Sequence, residues 1–317
     1  MINKRTVFIL GAGASAPYGF PTSDGLRKKF ITEAGQRLGG LKNRDLNREG
    51  YVNVGKKLAL KFKNSNVNSI DRFLNDQDED EIIFGKILIM AFIRDCEKHS
   101  KFAEDIENPA FDWYKQFYNH LIRGIKSFDE LSFKNFTIIT FNYDRSFEYF
   151  LYLSIRNTYH IKKVSDEKIM NLMRALDIQH VYGKVNKMIW ESEGIYDEDN
   201  TRRVYCEMPF DYHDLYTRLD NIKIISEVKH ESFNYKKIIE NAEEVYFLGF
   251  GFLEENMEIL GAPFEKKSSM KTRYISTAFG CSAENIEYYM RKYFKFENEQ
   301  NKMIDCDCCS ILKNYLY

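Results

Sequence analysis

The sequence predicts an α/β protein built on a doubly wound, mostly parallel sheet with a helical insertion. Three observations support this fold class. Apolar and β-branched runs without alternation, typical of strands buried on both faces, occur at several points. Segments with apolar residues every three or four positions lie between most of these runs, and one such region extends from about 23 to 128. Strands that alternate with helices indicate βαβ units and therefore a Rossmann-like sheet.

The predicted strands are short and most of them end at a glycine or a polar residue. In chain order they are TVFIL (6–10), FTIITF (136–141), HVYGKV (180–185), NIKIIS (221–226), EVYFLGFGF (244–252) and TRYIST (272–277). In a doubly wound sheet, ligands bind beyond the carboxyl ends of the strands, where the strand order reverses. The residues that follow each strand are therefore the candidates for a functional site.

The change in periodicity divides the chain into three parts. We interpret residues 1–22 and 129–295 as the Rossmann-like core, 23–128 as a helical insertion and 296–317 as a C-terminal tail. Segments 155–177 and 187–218 are interpreted as surface insertions without an assigned role.

Composition and charge restrict the classes of function. The 317 residues carry 46 basic and 47 acidic side chains, so no excess of positive charge favours direct nucleic-acid binding. The longest apolar stretch, 82–93, contains Lys86 and is shorter than the roughly 20 residues that a bilayer requires. The apolar run 7–10 is shorter than the roughly 7–15 residues of an export signal core. We expect a soluble, cytoplasmic protein without a membrane partner.

A glycine-rich loop follows the first predicted strand. Gly11, Ala12, Gly13 and Ser15 come directly after Leu10, in an arrangement that lets backbone approach a pyrophosphate closely. The third glycine of the Rossmann spacing is replaced by alanine and no Walker lysine follows. A purely structural turn therefore remains an alternative at this stage.

Polar residues also follow the later strands. Asn142 and Asp144 come after a buried strand and before a helix, where they suit a ribose hydroxyl, a water or a carboxamide, although Asp144 also suits a helix cap. His180 and Tyr182 share one face if their segment is extended, and a structural role for the histidine is the alternative. Asn256 begins a helix after a second glycine-rich stretch. One ligand class, a dinucleotide, requires all these groups.

These motifs resemble, in content and order, the bacterial SIR2-like domains, relatives of sirtuins found in antiviral defence systems. The resemblance extends from about residue 5 to 280. It is carried by GAGAS (11–15), GFPTSDGL (19–26), SIDRFL (69–74), TFNYD (140–144), HVYG (180–183) and AEEVYFLGFGFLEEN (242–256).

The resemblance implies NAD⁺ as substrate and cleavage of the bond between nicotinamide and ribose. It implies catalytic roles for Asn142 on the ribose or a water, Asp144 on the carboxamide, and His180 as base or ribose partner. The implied binding residues for the dinucleotide are Gly11, Ala12, Gly13, Ser15, Thr22, Asp24, Gly183, Gly251 and Asn256.

The chain departs from the sirtuin pattern at two points. The sirtuin histidine immediately precedes the glycine, where this chain has Tyr182, so either His180 acts from two residues earlier or the base lies elsewhere. The two C-x-x-C pairs of the sirtuin zinc ribbon are absent, so we expect no metal site. Cys306, Cys308 and Cys309 are interpreted as reduced structural or tail residues.

The resemblance therefore implies an NAD⁺ glycohydrolase that depletes NAD⁺ in abortive infection. Water is the expected acceptor because sirtuins hold their acylated peptide against the missing ribbon. We expect activation by homo-oligomerisation, by a small nucleotide signal, or by a defence partner such as an ATPase or translocase, an Argonaute-like protein or a nucleotide-processing protein. The alternatives are a non-catalytic module that senses a nucleotide and, supported only by fold kinship, a protein deacylase.

Overall fold

A six-stranded, all-parallel sheet forms the centre of the molecule. The computed structural model describes residues 2–41, 48–100, 109–160, 163–191, 212–228, 232–264, 272–294 and 300–316. The strands are β1 (Thr6–Leu10), β2 (Phe136–Thr140), β3 (Ile178–His180), β4 (Glu244–Leu248), β5 (Arg273–Thr277) and β6 (Lys302–Ile304), and their order across the sheet is β3-β2-β1-β4-β5-β6. The predicted α/β fold class with a parallel sheet is confirmed.

Helices flank the sheet and form every regular element that is described between β1 and β2. Before β2 they are α1 (Ala12–Ser15), α2 (Ser23–Gly40), α3 (Arg48–Ser65), α4 (Ile70–Asn75), α5 (Glu79–Lys98) and α6 (Trp113–Ile122). After β2 they are α7 (Ser146–His160), α8 (Asp166–Arg174), α9 (Tyr212–Tyr216), α10 (Ile225–Val228), α11 (Ser232–Glu240), α12 (Glu254–Ile259), α13 (Ala283–Phe294) and α14 (Cys308–Tyr315).

Strand β1 lies at the middle of the core. All five of its residues are buried, and it pairs in parallel with β2 on one side and β4 on the other. This explains its uninterrupted apolar sequence, because a central parallel strand is covered on both faces. The Phe8 ring packs edge-on against Phe117 of α6 at 5.2 Å and stacks on Tyr246 of β4 at 5.3 Å.

The helical region before β2 is joined to the same core. The Trp113 indole of α6 donates a hydrogen bond to the Ala14 carbonyl at 2.7 Å, and the Trp113 ring stacks on Phe147 of α7 at 5.5 Å. Helix α4 begins where the sequence motif 69–74 places a capping serine, whose Oγ accepts from the Arg72 backbone N–H at 3.3 Å. The helices between β1 and β2 thus help to position the loop after β1.

Two strand predictions were wrong. The segment HVYGKV (180–185) is not a strand along its length, because β3 ends at His180 and Gly183 turns the chain with φ +81°. The segment NIKIIS (221–226) forms only an isolated antiparallel bridge between Ile222 and Gly183, and α10 begins at Ile225. The close approach of the two segments is the physical reason, since a Cβ on Gly183 would lie 1.9 Å from the Asn221 carbonyl oxygen.

The carboxyl-terminal segment contributes to the sheet. Strand β6 pairs in parallel with β5, and Ile311 and Leu312 of α14 are fully buried. Both elements lie within 296–317, which the sequence analysis interpreted as a tail. A three-residue edge strand carries too little periodicity to be recognised in a sequence.

The strand order reverses at β1. The chain passes from β1 to β2 on one side and later returns to β4 on the other side, so the carboxyl ends of these strands form the topological switch point. None of the helices in the described ranges combines the length and apolar character needed to cross a membrane. The switch point is where the sequence places its candidate residues.

Candidate active site

Three loops meet at the switch point. The backbone N–H of Gly11 donates to the Leu248 carbonyl at 3.0 Å, and the N–H of Phe141 donates to the Leu10 carbonyl at 2.9 Å. The strand registers that bring Leu10 opposite both Thr140 and Leu248 cause this convergence. The loops after β1, β2 and β4 are therefore in direct contact.

The glycines of the first loop pack against the loop after β4. The Gly13 N–H donates to the Gly249 carbonyl at 3.0 Å, and a Cβ on Gly11 would lie 2.5 Å from the same oxygen. Gly249 has φ +58°, and a Cβ there would lie 2.0 Å from the Ala14 nitrogen. These glycines allow the two loops to pack closely. The Gly13 N–H already donates a hydrogen bond to the Gly249 carbonyl.

Asn142 joins the loops after β1 and β2. Its Nδ2 donates to the Gly11 carbonyl and to Ser15 Oγ, each at 3.0 Å. Because the Gly11 carbonyl can only accept, the orientation of the amide is determined. The residue is 8% exposed, and its Oδ1 accepts no hydrogen bond from the residues that the structure describes. A buried acceptor without a partner is uncommon in a folded protein and calls for an explanation.

Asp144 acts as a cap for helix α7. Its Oδ1 accepts from the backbone N–H of Ser146 at 3.0 Å and also from the Ser146 hydroxyl. Burial raises the pKa of the Asp144 carboxyl, although hydrogen bonds from Ser146 and Ser15 oppose that shift. The Tyr114 hydroxyl also contacts Ser146 Oγ, at 2.7 Å. The structural alternative for Asp144, a helix cap, is thus realised.

His180 is held by protein acceptors at both ring nitrogens. Its Nδ1 lies 3.0 Å from the Asn142 carbonyl oxygen, and its Nε2 lies 3.1 Å from Glu148 Oε1. Burial raises the pKa of Glu148, but Arg145 and His180 outweigh it and lower the pKa to about 2. The histidine thus links Asn142 to a buried carboxylate and offers no ring nitrogen to a ligand in this arrangement.

A buried ionic network continues from this histidine. Arg145, 1% exposed, pairs with Glu148 at 2.6 Å and with both carboxylate oxygens of Glu191 at 2.8 and 3.0 Å. The Arg145 backbone N–H donates to Glu97 of α5 at 3.1 Å. Burial raises the pKa of Glu97 to about 8, and the charge of Asp144 adds to that effect. No sequence signal joins these residues, since Glu97 and Arg145 are 48 positions apart.

The other residues implied for dinucleotide binding occupy more peripheral positions. Thr22 caps α2 by accepting from the Gly25 N–H at 3.3 Å, and both Thr22 and Asp24 are exposed. Gly251 is exposed and a Cβ there would meet open space, so its backbone does not require glycine. Ala12 is half-buried beside Gly13. No hydrogen bond is present between Asn142 and any of these residues.

A second polar cluster includes Tyr143, the residue that follows Asn142 in the chain. The Tyr143 hydroxyl donates to Asp71 Oδ1, and the Tyr182 hydroxyl donates to Asn256 Oδ1 at 2.7 Å. The two tyrosine rings are 6.3 Å apart. We call Asp71, Tyr143, Tyr182 and Asn256 the tyrosine cluster. It joins four of the sequence motifs, but the sequence analysis assigned a role only to Asn256 in it.

The comparisons with known proteins assign no function to this site, so its function has to be argued from the residues described above. No protein-family model matches the chain, and a search of the curated proteins found no match either.

Within the described ranges, no group of three or more His, Cys, Asp or Glu side chains is arranged to hold a metal ion. Cys206 and most of the segment 187–218 lie outside the described residues.

Proposed function

We propose that the protein is an NAD⁺ glycohydrolase that cleaves the bond between nicotinamide and ribose. The observation that carries this proposal is the free Oδ1 of Asn142, buried where the loops after β1, β2 and β4 meet. An unsatisfied buried acceptor costs about 1–3 kcal/mol, which a hydroxyl donor from a ligand can offset. A ribose hydroxyl of a dinucleotide at the switch point is such a donor.

The proposed reaction demands little from the protein beyond orientation and desolvation. As in glycoside cleavage, the ribosyl carbon develops oxocarbenium character while the leaving group departs. Asn142, held by Gly11 and Ser15, has a pre-organised acceptor for orienting the nicotinamide ribose. Water is the proposed acceptor of the ribosyl group, so the products are nicotinamide and ADP-ribose.

The direct test is release of nicotinamide from NAD⁺ by the purified full chain. We expect nicotinamide and ADP-ribose in equal amounts, either from the protein alone or after addition of the protein encoded by the neighbouring gene. Asn142→Ala, checked for folding by circular dichroism, is the matched negative control. If neither preparation yields nicotinamide, the glycohydrolase proposal is overturned.

The second candidate function is nucleotide sensing without turnover. It is favoured by one observation, the engagement of both His180 nitrogens by Asn142 and Glu148. Calorimetry separates the two functions. Binding of NAD⁺ or ADP-ribose at micromolar concentrations, with no nicotinamide released over hours, supports sensing and contradicts hydrolysis.

The biological context follows from the resemblance to SIR2-like defence domains. We propose that the chain depletes cellular NAD⁺ during phage infection and that oligomerisation or a defence partner activates it. A loss of NAD⁺ after phage challenge in cells that carry the wild-type gene, but not the Asn142→Ala gene, is the expected result. Equal NAD⁺ levels in both strains contradict this context.

A further inference from the structure

The tyrosine cluster contains a carboxylate that the proposed reaction has not yet used. We propose that Asp71 is the general base that takes the proton of the attacking water. This inference rests on the proposed NAD⁺ glycohydrolase function and goes beyond it, because it assigns the base to helix α4.

The position of Asp71 beside the switch point is the first argument. Its Oδ1 accepts from the hydroxyl of Tyr143, the residue next to Asn142 in the loop after β2. The Tyr143 backbone carbonyl accepts from the Val185 N–H at 3.1 Å, which holds that loop against the chain after β3. The carboxyl group is therefore attached to the loop that carries the unpartnered amide oxygen.

The hydrogen bonds of Asp71 leave one oxygen available. Oδ2 makes a long contact of 3.4 Å with Ser69 Oγ, and the backbone N–H of Asp71 itself also interacts with the carboxyl group. That hydroxyl also caps α4 by accepting from the Arg72 N–H. A half-buried carboxylate with one firmly held oxygen and one open oxygen can accept a proton from a water without losing its position.

The other candidates for the base are engaged elsewhere. His180 meets acceptors at both nitrogens, and Asp144 caps α7 through Ser146. The Tyr182 hydroxyl donates to Asn256, and burial raises its pKa far above the ordinary value, so it does not ionise near neutral pH. The carboxyl group of Asp144 is hydrogen-bonded by the Ser146 N–H, the Ser146 hydroxyl and Ser15. Asp71 differs, because it holds Tyr143 through Oδ1 and makes a long contact of 3.4 Å at Oδ2.

The proton affinity of Asp71 suits the task. Burial raises the pKa of Asp71 to about 6, while hydrogen bonds from Tyr143 and Ser69 oppose the shift and the charge of Glu255 on α12 adds to it. A base works best when its pKa is close to the working pH.

The charged groups on neighbouring elements do not neutralise Asp71. The charge of Glu227 of α10 helps to raise the pKa of the Tyr143 hydroxyl. Glu227 also forms an ion pair with Lys86 of α5 at 2.8 Å. Arg27 of α2 donates to the Val67 carbonyl at 3.0 Å and lies over the Phe62 ring. Among the described residues, the charge of Glu255 on α12 favours protonation of the Asp71 carboxyl.

The step balances with water as the only co-reactant. The water oxygen forms a bond to C1′ of the nicotinamide ribose as the bond from C1′ to the nicotinamide nitrogen breaks, and that electron pair stays on nicotinamide. One proton of the water passes to Asp71 Oδ2. Asp71 then releases this proton to solvent, and ADP-ribose and nicotinamide leave.

The test compares three variants of the full chain in NAD⁺ hydrolysis at pH 5 to 9. Asp71→Asn keeps an acceptor for Tyr143 but cannot take a proton, so we expect kcat to fall about 100-fold or more while the NAD⁺ Kd from calorimetry stays within about threefold. Tyr143→Phe removes a hydrogen bond that lowers the pKa of Asp71, so the acidic limb of the pH profile should move to higher pH. Asp76→Asn, the same chemical change at an exposed position after α4, should leave the profile unchanged.

Each outcome decides a separate question. If Asp71→Asn keeps kcat within about threefold of wild type, the base assignment is overturned and the glycohydrolase function stands. If Asp71→Asn is inactive but Tyr143→Phe leaves the acidic limb in place, Asp71 has a structural role and the assignment is again overturned. A wild-type protein that releases no nicotinamide under any condition overturns both proposals.

Discussion

The backbone N–H of Gly13 donates to the carbonyl of Gly249 at 3.0 Å, and this hydrogen bond joins the loops after β1 and β4. A Cβ on Gly13 would lie 2.9 Å from that carbonyl oxygen, so a side chain there would separate the loops. The glycine pattern that suggests a phosphate loop in the sequence therefore has a packing role first. A Gly13→Val variant would therefore disturb the packing of the loops, and its loss of ligand binding would not show that Gly13 contacts a ligand.

The two glycines after β4 should respond differently to alanine. Gly249→Ala forces a left-handed φ of +58° and a Cβ 2.0 Å from the Ala14 nitrogen, so we expect the free energy of unfolding to fall by about 3 kcal/mol or more. The Cβ of a Gly251→Ala variant would lie in open space, so we expect the free energy of unfolding to change by no more than about 0.5 kcal/mol. Denaturant titration followed by circular dichroism measures both. Equal effects would contradict the described packing of the loops.

Asn142→Ala should remove activity at a moderate cost in stability. The change deletes hydrogen bonds to Gly11 and Ser15, so we expect a loss of about 1–3 kcal/mol in unfolding free energy and at least a 100-fold fall in nicotinamide release. Asn186→Ala is the matched control, because Asn186 is also buried with an unpartnered Oδ1. That variant should lose similar stability and keep turnover within a few-fold. Turnover by Asn142→Ala within a few-fold of wild type would remove Asn142 from the mechanism.

His180→Ala should act mainly on stability. The substitution removes contacts to the Asn142 carbonyl and to Glu148, so we expect the unfolding free energy to fall by about 1–3 kcal/mol. At temperatures where the variant is folded, turnover should remain within a few-fold and the acidic limb should not move. His213→Ala, at an exposed position, is the control for stability. A folded but inactive His180→Ala protein would return the base role to the histidine.

Glu97→Gln should change the pH dependence of stability. Burial raises the pKa of Glu97 to about 8, above the pKa of a glutamate in the unfolded chain. The contribution of protonated Glu97 to the free energy of unfolding is therefore fully present at acidic pH. It is lost as the pH rises towards 8, with a slope of at most about 1.4 kcal/mol per pH unit. Glutamine stays neutral at every pH, so wild type and variant should diverge between pH 5 and 8, with the variant gaining relative stability.

The same substitution is compatible with the local hydrogen bonds. The Asn186 Nδ2 donates to Glu97 at 2.8 Å, and its unpartnered Oδ1 can accept from a glutamine amide after rotation of the Asn186 side chain. Denaturant midpoints of both proteins across this pH range give the comparison. Parallel curves would show that Glu97 ionises normally in the folded protein.

Much of the sheet could be predicted because buried parallel strands have a strong local signature. Strand β1 was predicted with its observed bounds, and β2, β4 and β5 within a few residues. The prediction failed at NIKIIS (221–226), which has the composition of a strand but forms a bridge, a turn and α10. Its pairing depends on the contact with Gly183, which no local pattern contains. Strand β6 was missed because its three residues are too few to show a periodicity.

The sequence by itself determined the α/β class, the central strands and the polar residues at the mouth of the sheet, because burial on both faces dictates composition residue by residue. Only the tertiary structure decided how those polar residues are used. It engages both nitrogens of His180 with Asn142 and Glu148, and it brings Asp71 to Tyr143 across 72 positions of the chain. Hydrogen bonds and desolvation act between groups that are close in space, and their neighbours are set by packing rather than by position in the sequence.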